Sequence, residues 1–170
     1  EYRMDGVNPS ISASMDIQIS SNFERALFWA YGRDGAAVAQ LMDELKTEGG
    51  FRVSQGALQA LREVYVSGRV SEEETSETIR DELARSGELL CPHSAVGVRV
   101  GAAHVAAPVP MVTLATAHPA KFPDAVAAAT GIRPGLPPRM ADLFDRPERV
   151  TRVPNDLAAL EALIEEGRRK

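Results

Sequence analysis

The sequence predicts an α/β domain rich in helix and poor in strand. Three observations carry that expectation. From about residue 22 to residue 88, polar capping residues and glycines divide the chain into segments whose apolar residues recur at helical spacing. Val112 to Ala115 is a short apolar run between Pro110 and a turn holding Pro119 and Pro123, the pattern of a buried strand. An alanine-rich helical pattern from Pro123 to Thr130, closed by Gly131, follows after a short loop, and strand, loop and helix make half of an α/β unit.

Taken in order, residues 1 to 21 read as irregular, broken by Gly6, by Asn8-Pro9 and by Ser10, Ser12 and Ser14. Ser21-Asn22-Phe23-Glu24 has the capping-box pattern, in which the serine oxygen accepts from a free helix N–H while the glutamate reaches back. A first helix is expected from there to about Tyr31, with Gly32 ending it. Asp34 caps a second, with Val38, Leu41 and Leu45 on one face, closed by Gly49-Gly50. Ser54 opens a third, broken at Gly68. Ser71 caps a fourth whose first turn holds Glu72, Glu73 and Glu74, where the helix dipole favours carboxylates. This helix runs to Arg85 and stops at Ser86-Gly87. Seven acids against two arginines between Ser71 and Glu88 read as the solvated face of a capped helix.

The remainder is more sheet-like. Leu89 to Cys91 is expected as a short strand, and 94 to 107, nearly all small and apolar, as a buried helix packed close to a sheet. Gly131 to Pro138 is a loop, Met140 to Phe144 a helical turn, and Arg149 to Val153 a strand. Asn155 caps a last helix carrying Leu157, Leu160 and Leu163. Three parts follow: an irregular segment 1–21, a helical subdomain 22–88, and an α/β part 89–170.

Bulk properties narrow the function. The chain has 170 residues, 44% hydrophobic and 25% charged, enough for a real core. A net charge of −5 argues against a nucleic-acid or anionic-membrane surface. No apolar run approaches the roughly 20 residues that span a bilayer. The N-terminus, Glu1-Tyr2-Arg3, is neither a start methionine nor a signal peptide. The single cysteine, Cys91, forbids an internal disulfide and fits a reducing cytoplasm.

Ligands of open α/β sheets bind beyond the carboxyl ends of strands, which draws attention to Thr116 and His118. Read from the residues alone, Thr116 does no more than satisfy a strand-end backbone group. His118 precedes a proline and so sits in an extended or turn conformation; it either orients its loop or approaches an anion. Lys121 reads as a surface residue. Ser20, Ser21, Asn22 and Arg25 have the look of an anion-facing helix start, although capping explains Ser21 without a ligand. Cys91, His93, His104 and His118 match no compact metal spacing.

Three motifs change that balance: Ser14-Met15-Asp16-Ile17 with Ser20-Ser21-Asn22-Phe23-Glu24-Arg25, then Pro92-His93-Ser94-Ala95-Val96-Gly97, then Thr116-Ala117-His118-Pro119-Ala120-Lys121-Phe122. Together and in this order they resemble the C-terminal portion of threonine synthases, pyridoxal-phosphate enzymes of the tryptophan-synthase-β-like fold (fold type II). The resemblance spans nearly the whole chain. It implies a cytoplasmic enzyme that converts O-phospho-L-homoserine and water to L-threonine and phosphate. It implies that Thr116 faces the pyridine nitrogen of pyridoxal 5'-phosphate, that Ser20, Ser21, Asn22, Arg25 and His118 lie near the substrate, and that His93 and Ser94 start a buried helix. The Schiff-base lysine is expected from an earlier motif; Lys46, Lys121 and Lys170 stand in no matching context. This chain would then complete the cofactor domain, depend on an N-terminal portion of the same enzyme, and be inactive alone. A serine/threonine dehydratase of the same fold and a non-catalytic helical module with the acidic helix as its face are the alternatives.

Overall fold

The computed structural model describes residues 1 to 168; Lys170 lies outside the described residues. The chain divides into two compact units, the first Glu1–Gly135 and the second beginning at Leu136. The first holds two small clusters of buried side chains.

One cluster is built by β1 (Tyr2–Arg3), α1 (Phe23–Ala30), α2 (Gly35–Glu48), β2 (Gly50–Phe51) and α3 (Gln55–Val64). Leu27, Val38, Leu41, Leu45 and Phe51 are its buried centre. The two strands pair antiparallel, Tyr2 opposite Phe51 and Arg3 opposite Gly50. Tyr2 stacks on both Phe51 and Phe23, with ring centroids 5.1 and 5.6 Å apart. The caps fall where the sequence puts them: the Asp34 carboxylate accepts from the N–H groups of Ala36 and Ala37, Ser54 Oγ accepts from Ala57, and Gly49 takes the left-handed conformation at the end of α2.

The other cluster lies among α4 (Glu72–Ser86), α5 (Pro92–Ala102) and α6 (Pro123–Thr130), around Ile79, Ala95 and Ala129. Ser71 and Glu74 form a complete capping box at the start of α4. Gly87 and Gly131 close α4 and α6 at φ 81° and 76°, a conformation glycine adopts without a Cβ penalty.

Several expectations fail. No strand forms at 112–115, 89–91 or 149–153. Val112 and Leu114 are 77% and 75% exposed. A strand needs a neighbouring edge, and no described residue pairs with this run. The Ser21–Glu24 capping box is absent: α1 starts at Phe23, whose N–H donates to Ser20 O, and Asn22 precedes it in a helical conformation without a side-chain cap. The small-residue helix begins at Pro92, ends at Ala102, and packs on α4 instead of a sheet. Its Gly97 and Gly101 let a coil segment lie close, since a Cβ at either would stand 3.1 or 3.2 Å from Thr113.

The second unit holds a single-turn 3-10 helix, Pro138–Met140, and α7 (Leu157–Arg168). Asp156, not Asn155, caps α7: its carboxylate accepts from Ala159 N–H at 2.8 Å.

Candidate functional site

The first turn of α5 is where distant segments meet. Pro92 fits a helix start because it has no N–H to lose and its φ is already helical. Cys91 precedes it in an extended conformation, and its sulfur accepts from Ser94 N–H at 3.4 Å. Pro92, His93, Ser94 and Ala95 are all buried.

His93 and Ser94 each tie down a remote stretch. His93 Nε2 accepts from Ser14 N–H at 3.0 Å. The proton of the neutral ring therefore sits on Nδ1, which is buried and has no partner. The ring lies against Phe122, centroids 4.5 Å apart. Burial, with a contribution from Lys121, pushes the imidazole below its usual pKa, while Asp16 acts the other way. Ser94 Oγ accepts from Thr116 N–H at 3.2 Å and sits 3.2 Å from Cys91 Sγ. Thus one helical turn links Ser14, Thr116 and Phe122, a residue from each of the two flanking motifs and more.

Thr116 is exposed, and its hydroxyl makes no hydrogen bond among the described residues. His118 is committed locally: its Nδ1 accepts from Ala120 N–H at 3.1 Å and caps the turn Pro119–Lys121. The Ser20–Arg25 stretch is held elsewhere. Ser20 N–H donates to Tyr2 Oη, whose own proton goes to Gln18 O, so the stretch is fastened to the Tyr2–Phe51 core. Ser21, Asn22 and Arg25 are exposed, and Arg25 has no ion pair among the described residues. No hydrogen bond or ion pair among the described residues joins this stretch to Thr116 or His118. An open groove of about 600 Å³ passes Ser12, Asp16 and Ser71.

The roles of Ser14, Ser94 and Cys91 escaped the sequence. The Pro92-His93-Ser94 motif marked the helix start, but nothing in it says which backbone groups its side chains receive. The acids of α4 are also more engaged than a solvated face requires. Glu72 accepts from Ile11 N–H at 3.2 Å, and Glu74 serves the capping box and pairs with Arg99.

Comparison with known proteins identifies the family of the chain. Residues 94–164 match the family model described as threonine synthase, C-terminal. The chain is 49% identical over 165 residues to the threonine synthase of Pseudomonas aeruginosa, covering 96% of this chain and 35% of that protein. It superimposes on the crystal structure of PLP-bound threonine synthase from Brucella melitensis with a TM-score of 0.84 and 50% identity, over 99% of this chain and 36% of that one. The yeast threonine synthase structure gives a TM-score of 0.73 at 34% identity, over 96% of this chain and 37% of that one.

The fold is thus the helix-rich C-terminal portion of a pyridoxal-phosphate enzyme. Within that class, the chain belongs to the threonine synthase family as its C-terminal region, homologous over most of its length. It spans about 35% of the length of the relatives it matches.

Proposed function

We propose that this chain forms the C-terminal part of a threonine synthase, which converts O-phospho-L-homoserine and water to L-threonine and phosphate, and that it is inactive without the N-terminal portion. The observation that carries the reading is the likeness over nearly the whole chain to threonine synthases, one of them PLP-bound; Thr116, with its peptide anchored and its hydroxyl left free, is consistent with it. The chemistry of that donor fits the cofactor. A neutral hydroxyl, with its proton on Oγ1, offers a hydrogen bond to an unprotonated pyridine nitrogen and leaves the ring a milder electron sink than a carboxylate would. Pyridoxal 5'-phosphate, when bound, supplies the electron withdrawal that labilises bonds next to the amino-acid Cα.

The other residues have supporting parts in this reading. Ser20, Ser21, Asn22 and Arg25 offer donors for the substrate's anionic groups, and His118 shapes the loop that presents Thr116. Lys46 lies in α2 and Lys121 in the turn before α6, neither in a context suited to covalent cofactor attachment. The attaching lysine therefore comes from the N-terminal portion. Segments 1–21 and 89–170 complete the cofactor domain, and 22–88 forms a helical subdomain. A single unpaired thiol at Cys91 suits a cytoplasmic setting.

The test compares phosphate release from O-phospho-L-homoserine by this chain alone and by the assembled enzyme, with Thr116→Val in the second. The chain alone is expected to release none and to trap no cofactor on a lysine with borohydride. Thr116→Val is expected to lower turnover by about two- to tenfold, the reach of one hydrogen bond, and to shift the cofactor absorbance. Turnover by the chain alone, or an unaltered spectrum and turnover in the variant, would overturn the respective part.

A further inference from the structure

We propose that Ser94, backed by the sulfur of Cys91, is the positioning residue that sets where the Thr116 hydroxyl stands, and so tunes the cofactor through the Thr116 backbone. The inference rests on the cofactor reading of Thr116 given above.

Within this chain the coil from residue 111 to residue 117 has few holds. Among the described residues, the bond from Thr116 N–H to Ser94 Oγ is the single hydrogen bond that this stretch makes. Within this chain Val112 and Leu114 add little, being largely exposed. Its other holds within this chain are the close approaches of Thr113 to Gly97 and Gly101 and of Met111 to Gly101. The Ser94 oxygen is thus the hydrogen-bond acceptor that fixes the Thr116 peptide within this chain.

That oxygen is itself fixed. Ser94 is 2% exposed and Cys91 1%, so water does not compete for the hydroxyl. Ser94 Oγ spends a lone pair on Thr116 N–H, and its own proton has the Cys91 sulfur in range at 3.2 Å. The sulfur also accepts Ser94 N–H, which locks the serine between its backbone and its side chain. A serine at the first turn of a buried helix is a rigid mount. Removing its oxygen takes away the acceptor of the Thr116 N–H and frees Thr116 to drift.

The experiment uses the assembled enzyme with pyridoxal phosphate bound, and compares Ser94→Ala, Cys91→Ala, Thr116→Val and the double variant Ser94→Ala/Thr116→Val. Ser94→Ala is expected to shift the cofactor absorbance in the direction of Thr116→Val and to lower kcat by about two- to tenfold, with little change in KM. Cys91→Ala is expected to do the same more weakly. The double variant is expected to fall no further than Thr116→Val, because both changes act through one hydroxyl. A Ser94→Ala enzyme that loses thermal stability but keeps its spectrum and kcat, while Thr116→Val alters both, overturns this inference alone. If Ser94→Ala does not fold, an unchanged spectrum in Cys91→Ala overturns it. A silent Thr116→Val overturns the cofactor reading first and this inference with it.

Discussion

Two glycine-to-alanine substitutions should move stability in opposite directions, and the structure sets both signs. Gly50 lies in β2 opposite Arg3, and a Cβ there would stand 2.6 Å from the carbonyl oxygen of Tyr2 and 3.0 Å from Arg3 Cγ. The first neighbour is backbone, so β1 must move as a whole. Overpacking of this kind costs about 1–3 kcal/mol. If β1 detaches, Tyr2 also leaves Phe23 and Phe51, and each aromatic pair is worth about 0.5–1.5 kcal/mol more. Gly56 is exposed in the first turn of α3, and its added Cβ would meet nothing within 4 Å. Alanine there removes unfolded-state freedom and should stabilise by about 0.5–1 kcal/mol. Urea unfolding of the parent and the two variants, followed by far-UV circular dichroism, reads the difference. The Gly50→Ala midpoint should fall and the Gly56→Ala midpoint should rise. A Gly50→Ala protein as stable as its parent would refute the packing of β1 described above.

Two further outcomes are expected. His93 has a folded-state pKa below its unfolded value, so as pH falls through about 6.5 the unfolded chain takes up the proton first. Stability is then lost by up to about 1.4 kcal/mol per pH unit until the folded pKa is reached, since protonation also removes the acceptor of Ser14 N–H. His93→Gln should flatten this part of the stability–pH curve, and a parent and variant with parallel curves would contradict it. The exposed run at Val112 and Leu114 should make the chain self-associate without its N-terminal partner. Sedimentation at several concentrations checks this, and Val112→Lys with Leu114→Lys should give a monomer.

The legible parts of the sequence were those that act within a few residues. Asp34, Ser54 and Ser71 each cap a helix with their own side chain, and Gly49, Gly87 and Gly131 each end one, because the geometry of a helix terminus is local. The run at 112–115 misled for the opposite reason. Apolar residues report a demand for burial, but a strand also requires a partner edge, and the sequence of one segment does not say where that edge is. Ser21 and Glu24 matched a capping box, yet the carbonyl of Ser20 and the hydroxyl of Tyr2 organise that turn. At the site, the resemblance singled out Thr116 and His118, and the structure put His118 into a cap. The dependence of Thr116 on Ser94 is a contact between residues 22 apart, with no periodic signature to announce it.

The first turn of α5 also sets an order of assembly. The Thr116–Ser94 bond closes a loop of 22 residues, and the Ser14–His93 bond one of 79. Loop-closure entropy makes the longer closure about 1 kcal/mol more expensive. The short loop can close as soon as α5 has formed its first turn, whereas the long one must wait until α1 to α4 have brought the N-terminal segment round. By loop length alone the Thr116 contact is the less costly half of the junction to form, and the N-terminal segment closes the longer loop.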